Sequence, residues 1–467
     1  MRARLAVSLA ALALGACSLA PHYVRPAAPV PSTWPSGAAY PVEGEASLPA
    51  VSYTDVFRDP RLQTLITQAL ANNRDLRVAA ANVAEARAQV RVTRSAQFPN
   101  VTVNGSAQVQ DNGGDRTQTF SLQGGVSSFE LDLFGRLANG TEADRERMLA
   151  SEASARTVRL GLVADIATAW ATYASDKDLL AIAQDTAANA QRSVDLTRLR
   201  LNGGIAPRTD LSQAEQVLAT AQGDLADQTT ALAQDVNLLR LLVGAEPDPT
   251  LLPGGLAEVS SSIEALPAGT SSEVLLRRPD VAQAEYLLKA ANANIGVARA
   301  ELFPKISLTG LLGFASDALG SLFTGGAFTA TAGANASYSI FNAGGARANV
   351  AVSEAQRDAA LATYEKAIQT AFREVADALA REGTIAQRLD AAHSNTVAAA
   401  DTATLSEALY RGGIDSFLQN LVAQRSLYSA RQSEVAATLT AVQNRIDLYR
   451  VLGGDAKLAS LPVTPTG

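Results

Sequence analysis

The sequence predicts an α+β chain written twice, each half running helix, two strands, then two long helices. Three observations predict it. Motifs recur at a nearly constant spacing: Gln97-Phe98-Pro99-Asn100-Val101 returns as Leu302-Phe303-Pro304-Lys305-Ile306, and Asp75 as Asp280, both offset by 205. Leu131-Asp132-Leu133-Phe134 returns as Tyr338-Ser339-Ile340-Phe341, offset by 207, and Leu201-Asn202-Gly203-Gly204-Ile205 as Tyr410-Arg411-Gly412-Gly413-Ile414, offset by 209. Next to each Phe-Pro motif lie stretches of strict apolar/polar alternation, and after them come proline-free stretches from about 137 to 200 and 346 to 410. The last growth in offset fits the strand-to-helix turn, where Asn342-Ala343-Gly344-Gly345 is longer than Gly135-Arg136.

Residues 1–16 read as a signal peptide: Arg2 and Arg4 precede an apolar run from Leu5 to Leu14, too short for a stable membrane anchor. Leu14-Gly15-Ala16-Cys17 resembles a bacterial lipobox, which implies that Cys17, the only cysteine, becomes a lipidated N-terminus; a free thiol or an intermolecular bridge is the plainer alternative. Ser18 after it implies sorting to the outer membrane. Without 1–16 the charge is 37 − 46 = −9, which argues against nucleic acid as a partner. No apolar run approaches the ~18 residues of a membrane helix, so any bilayer crossing has to be a barrel.

Residues 17–58 are an extended arm, since seven prolines from Pro21 to Pro49 forbid helix. The first repeat, 59–243, opens with one helix from Asp59-Pro60 to about Gln97, with proline in its first turn. A hairpin over 100–133 follows, because Val101, Val103, Ala107 and Val109 alternate with Thr102, Asn104, Ser106 and Gln108, and Phe120, Leu122, Gly124 and Val126 repeat the pattern beyond a turn at Asp111-Asn112-Gly113-Gly114-Asp115. Strands of this length suit either a tilted barrel or a sheet buried on one face. The proline-free stretch could run roughly 95 Å as helix. It ends at a tip, 202–210, after which Leu211, Leu218, Leu225, Leu232 and Leu239 mark a heptad seam.

Residues 244–272, rich in Pro, Gly and Ser, connect the halves as an excursion with room for short structure of its own. The second repeat, 273–453, has a hairpin over 305–341, in which Ile306 to Phe314 and Phe328 to Ile340 alternate, and a tip at 411–416; 454–467 is a tail. Leu361, Tyr364, Ile368, Phe372, Val375 and Leu379 form a stripe at helical period. Four strands cannot enclose a lumen, so a barrel requires several copies of the chain.

Chemistry has little to stand on. His22 and His393 are the only histidines and lie in unrelated contexts, and past the signal only Met148 and Cys17 carry sulfur, so neither a triad, a zinc site nor a soft-metal relay is available. Gly203-Gly204 and Gly412-Gly413 follow helices, which makes them C-caps in tight turns instead of phosphate loops. No cofactor is expected beyond the lipid on Cys17, and the chain is not an enzyme.

Leu275-Leu276-Arg277-Arg278-Pro279-Asp280-Val281, Ala290-Ala291-Asn292-Ala293-Asn294-Ile295-Gly296-Val297-Ala298-Arg299-Ala300 and Phe303-Pro304-Lys305-Ile306-Ser307 resemble the TolC-like outer-membrane efflux channels, in particular the NodT-type lipoprotein branch. Pro21-His22-Tyr23, Phe57-Arg58-Asp59-Pro60 and Gln424-Arg425-Ser426-Leu427-Tyr428 support the likeness. The resemblance implies a homotrimer whose chains each give four strands to a 12-stranded outer-membrane β-barrel, continued by a long periplasmic α-helical coiled-coil barrel. It implies a passive conduit for cargo delivered by an inner-membrane pump and a periplasmic adaptor protein. Gly203, Gly204, Gly412 and Gly413 then become periplasmic tip turns that meet the adaptor.

The resemblance also carries an acidic pore constriction onto Asp415, with Arg208 and Asp210 of the other tip in contacts that hold the end shut; the plainer alternative is that Asp415 caps the next helix. Family members often have acidic residues where Gln419 and Val422 stand, and tryptophan where Tyr53 stands. A different class of function, an exported coiled-coil lipoprotein that tethers envelope layers, also explains the lipobox and heptads, but not two amphipathic hairpins in register with the duplication.

Overall fold

The computed structural model describes residues 18–40, 52–111, 113, 116–264, 266, 272–453, 455 and 458. The signal peptide, Cys17 and most of the tail at 454–467 lie outside the described residues. Helices α1 (Tyr53–Val56), α2 (Pro60–Asn72) and α3 (Arg74–Ser95) lead into β1 (Val101–Asp111) and β2 (Arg116–Leu131), then α4 (Arg136–Asn202) and α5 (Arg208–Val243). After α6 (Leu256–Ser262) come α7 (Pro279–Ala300), β3 (Lys305–Ser316), β4 (Phe328–Ser337), α8 (Gly345–Arg411) and α9 (Phe417–Leu452). The duplication is quantitative: α4 and α8 have 67 residues each, α5 and α9 have 36 each. Arg136 and Gly345 begin the long helices at an offset of 209, so the extra residues do lie in the turn after Phe341, where Ala343 and Gly344 take positive φ (52° and 86°).

Three expectations need correction. The single helix over 60–97 is two, because Asn73 satisfies backbone groups on both sides of a break: its Nδ2 donates to the Leu242 carbonyl (2.9 Å), and its Oδ1 accepts from Leu76 N–H (3.1 Å). The arm 17–58 contains α1, closed by a capping box in which Ser52 and Asp55 each accept from the other's end of the turn. The connector 244–272 carries short structure of its own, α6 and a 3-10 turn at Pro249–Leu251, in keeping with a connecting excursion, and a further 3-10 turn, Ser272–Arg277, precedes α7. Lastly, β4 stops at Ser337, short of Tyr338 and Ile340, because no strand of this chain lies beside them, whereas β2 runs on to Leu131 along β3 through a bulge between Val126 and Phe129.

The chain divides into two compact units. One comprises 81–153, 282–367 and the start of the arm, and contains the antiparallel sheet β1-β2-β3-β4. Here the arm is fastened to α7: Arg25 pairs with Glu285 (2.7 Å), Asn292 Nδ2 donates to the Pro21 carbonyl (2.7 Å), and Lys289 sits over the Tyr23 ring. Gly296 admits the chain at this crossing, since a Cβ there would lie 2.8 Å from Ala20 N and 2.5 Å from Asn139 Nδ2.

The other unit comprises 28–80, 154–281 and 368–467 and holds the main core. Phe57, Leu62, Leu65 and Ile66 of the N-terminal segment pack with Val163, Ile166 and Trp170 of α4 and Val442, Ile446 and Tyr449 of α9, all nearly inaccessible. Tyr53 is buried in the same cluster and donates its N–H to Asp455 (2.7 Å), so the phenol fits a packing role there. Arg278, the residue just before α7, is buried as well and bonded to Asp280 (2.7 Å), Glu374 (2.8 Å) and the Val451 carbonyl (2.8 Å). Among the described residues no helix is long and apolar enough to cross a membrane.

Candidate functional site

Two places carry functional geometry, the turns between the long helices and the sheet. At the turns the repeats fold alike. Gly204 (φ 70°) and Gly413 (φ 71°) take the left-handed conformation that ends a helix, and the next residue donates six-to-one: Ile205 N–H to the Arg200 carbonyl (2.8 Å), Ile414 N–H to the Leu409 carbonyl (3.0 Å). The second glycine of each pair is therefore the one the turn demands. Gly203 and Gly412 still donate in helical register, to Leu199 and Ala408 at 3.0 Å, and a Cβ on either would make ordinary contacts.

The helix starts beyond the turns differ. Ser416 caps α9 by accepting from Gln419 N–H (3.3 Å), so Asp415 is not the cap; its Oδ1 accepts instead from Ser416 N–H (2.7 Å), and the residue remains half-exposed. Pro207 caps α5 without a side-chain bond, and Asp210 lies in the first turn, where a carboxylate favours the helix dipole. Among the described residues neither Arg208 nor Asp210 forms a side-chain bond or ion pair, so within one chain they do not meet Asp415.

What joins the two turns is a residue the motif pattern did not single out. Arg200 stacks on the Tyr410 ring, 4.5 Å from its centroid, and donates to the Tyr410 carbonyl (3.3 Å). That carbonyl belongs to the last turn of α8, where a cation is favoured. Beneath it, Val194, Ala214, Tyr410 and Phe417 form a small apolar cluster with Leu211 and Leu218 of the heptad seam. The signal was present as a disagreement between the repeats, because the position equivalent to Arg200 is Leu409. Farther along, Tyr428 of α9 is hydrogen-bonded to Asp224 of α5, and burial together with that carboxylate pushes the phenol up to about 12.

The sheet is sorted by face. Register places Val103 opposite Gly124, Gly124 opposite Leu312 and Leu312 opposite Ala330, so one face carries Val101, Val103, Leu122, Leu308, Leu312 and Phe328. The other carries Thr102, Asn104, Ser106, Gln108, Ser121, Gln123, Ser307, Thr309, Thr331 and Asn335. The apolar face is uncovered: Val103 is 73% exposed and Leu312 60%. Within one chain, then, this face is not the buried side of a sheet packed on a core.

The profile of outer membrane efflux proteins matches residues 65–245 and again 270–454, one segment on each repeat. This chain belongs to the outer membrane efflux protein family. It is 41% identical over 464 residues to the probable efflux pump outer membrane protein TtgC of Pseudomonas putida, covering 96% of this chain and 95% of the relative. The cation efflux system protein CusC of Escherichia coli is 38% identical over 448 residues, covering 95% and 97%. The fold matches the open-state MtrE outer membrane channel of Neisseria gonorrhoeae with a TM-score of 0.84 at 32% identity, over 97% of this chain and 100% of that one. As an outer membrane efflux protein it is the outer-membrane channel component of a tripartite efflux system. The fold class is the one expected from the duplication together with the family resemblance, helical barrel segments joined to a β domain.

Proposed function

We propose that three copies of this chain close their sheets into one 12-stranded outer-membrane barrel and that the helical hairpins continue the conduit through the periplasm to an adaptor protein and an inner-membrane pump. The observation that carries this is the sheet, with an uncovered apolar face, a polar face of hydroxyls and amides, and two open edges, β1 and β4. Unpaired backbone is untenable in hydrocarbon, and further copies of the same sheet supply its partners. A tethering lipoprotein would have no use for a polar lining behind an apolar face.

Cys17 carries the N-terminal lipid, and the arm that follows it is held on α7 by Arg25 and Asn292. Three copies of Asp415 ring the periplasmic end, while Arg200 ties the two tips of each chain together. Arg208 and Asp210, whose side chains find no partner among the described residues, make their contacts across copies. Gly203, Gly204, Gly412 and Gly413 form the turns that face the adaptor. Cargo is chosen upstream, by the pump and the adaptor.

In planar bilayers the purified trimer should conduct and prefer cations, and Asp415→Ala should move its reversal potential toward the unselective value. A trimer that never conducts would sink the channel reading, and an unchanged reversal potential would sink the ring.

A further inference from the structure

In this chain the junction between the repeats has a defined form. β2 pairs with β3, Leu131 lying opposite Ile306, and just past the paired ends Phe134 stacks on Phe303, centroids 4.5 Å apart and planes 18° from parallel. The duplication makes Phe341 the equivalent of Phe134, and Phe98 the equivalent of Phe303. In the single chain both rings are bare, Phe341 at 86% and Phe98 at 58% exposure, and the residues between β4 and Phe341 are bare as well, with Ile340 at 92%. These are the residues whose alternation continues β4 although no strand forms there.

We infer that residues 338–341 are an unpaired extension of β4 that becomes strand on β1 of a second copy of this chain, with Phe341 stacking on Phe98 of the partner subunit. The proposal rests on the trimeric reading above and adds the register and the contact that seal it. Carrying the β2/β3 register across places Tyr338 opposite Val101 of the partner subunit, as Leu131 lies opposite Ile306. Parity agrees. Tyr338 shares the face of Phe328 and Ala330, and Val101 that of Val103, so the apolar surface continues unbroken over the seam; a one-residue slip would set Tyr338 against Thr102. Spacing agrees as well, since each phenylalanine lies three residues outside its paired position on both sides of the junction, internal and intermolecular alike. Every seam of the ring is then the same structure, and the bare aromatic pair is the half-contact at each end of one protomer.

The test uses the full-length protein in its outer membrane. With Val101→Cys and Tyr338→Cys on one chain, mild oxidation should give covalent dimers and closed trimers on denaturing, non-reducing gels; either single variant should not, and Thr102→Cys with Tyr338→Cys should give far fewer. Phe98→Ala and Phe341→Ala should each lower the temperature at which the trimer dissociates, and the double variant should fall no further than the worse single. Trimers that form without the 101–338 bridge, or losses that add, overturn this contact while leaving the trimer standing. A protein that is only monomeric in the membrane overturns both.

Discussion

Arg278→Met should lower stability by about 3 kcal/mol, seen as an earlier loss of the far-ultraviolet helix signal on heating in detergent. Arg278 is 6% exposed, and its guanidinium spends every face on a partner: Nε and Nη2 on Asp280, Nη2 also on Glu374, Nη1 on the Val451 carbonyl near the end of α9. Methionine keeps much of the volume but leaves two carboxylates and a carbonyl without their donor. The loss therefore exceeds that of an ordinary surface pair, worth about 1 kcal/mol or less. Glu374→Gln, which keeps a polar acceptor for Arg278, should cost much less. Equal melting of Arg278→Met and the unmodified protein would show that the network contributes nothing.

Asp235→Asn should act in the opposite direction, with no effect at about pH 4, a gain that grows as pH rises and its full size above about pH 7. Asp235 of α5 is 9% exposed, is hydrogen-bonded to Asp176 of α4, and has its Oδ2 without a partner. Burial, then the Asp176 charge, raises its carboxyl from 3.8 to about 7. The folded state thus holds a proton that the unfolded chain releases, so stability is full below about pH 4, falls as pH rises toward 7 and is flat above. At about 1.4 kcal/mol per pKa unit the loss is at most about 4 kcal/mol. An amide removes the titration and donates to Asp176, so the variant should melt with the parent at pH 4 and later than it at pH 8. The second repeat already makes this choice: the equivalent residue is Asn444, whose amide donates to Glu382 (2.9 Å) and accepts from Arg381 (2.7 Å). Parallel pH curves for parent and variant would refute the pair.

Much of this was legible because the duplication repeats backbone demands. Glycine at 204 and 413 answers the same left-handed turn, and alternation on four segments gives one apolar and one polar face. What escaped depends on side chains meeting at distance. Asn73 breaks a helix whose composition favours continuity because Leu242, far along the chain, offers it a carbonyl. Arg200 gains its role from a ring in the other repeat. Asp235 differs from a surface carboxylate only because α4 brings Asp176 against it. The end of β4 was misplaced for another reason: alternation records the strand, while a single chain lacks its partner.

The claim beneath all of this is that the sheet turns its polar face to a lumen and its apolar face to lipid. Gln123 and Leu122 are neighbours on β2 that point to opposite faces. Single channels of Gln123→Cys should lose conductance in as many as three steps on addition of a charged, membrane-impermeant thiol reagent, while Leu122→Cys and the parent, which has only Cys17, should not respond. Block at Leu122→Cys with none at Gln123→Cys would contradict it.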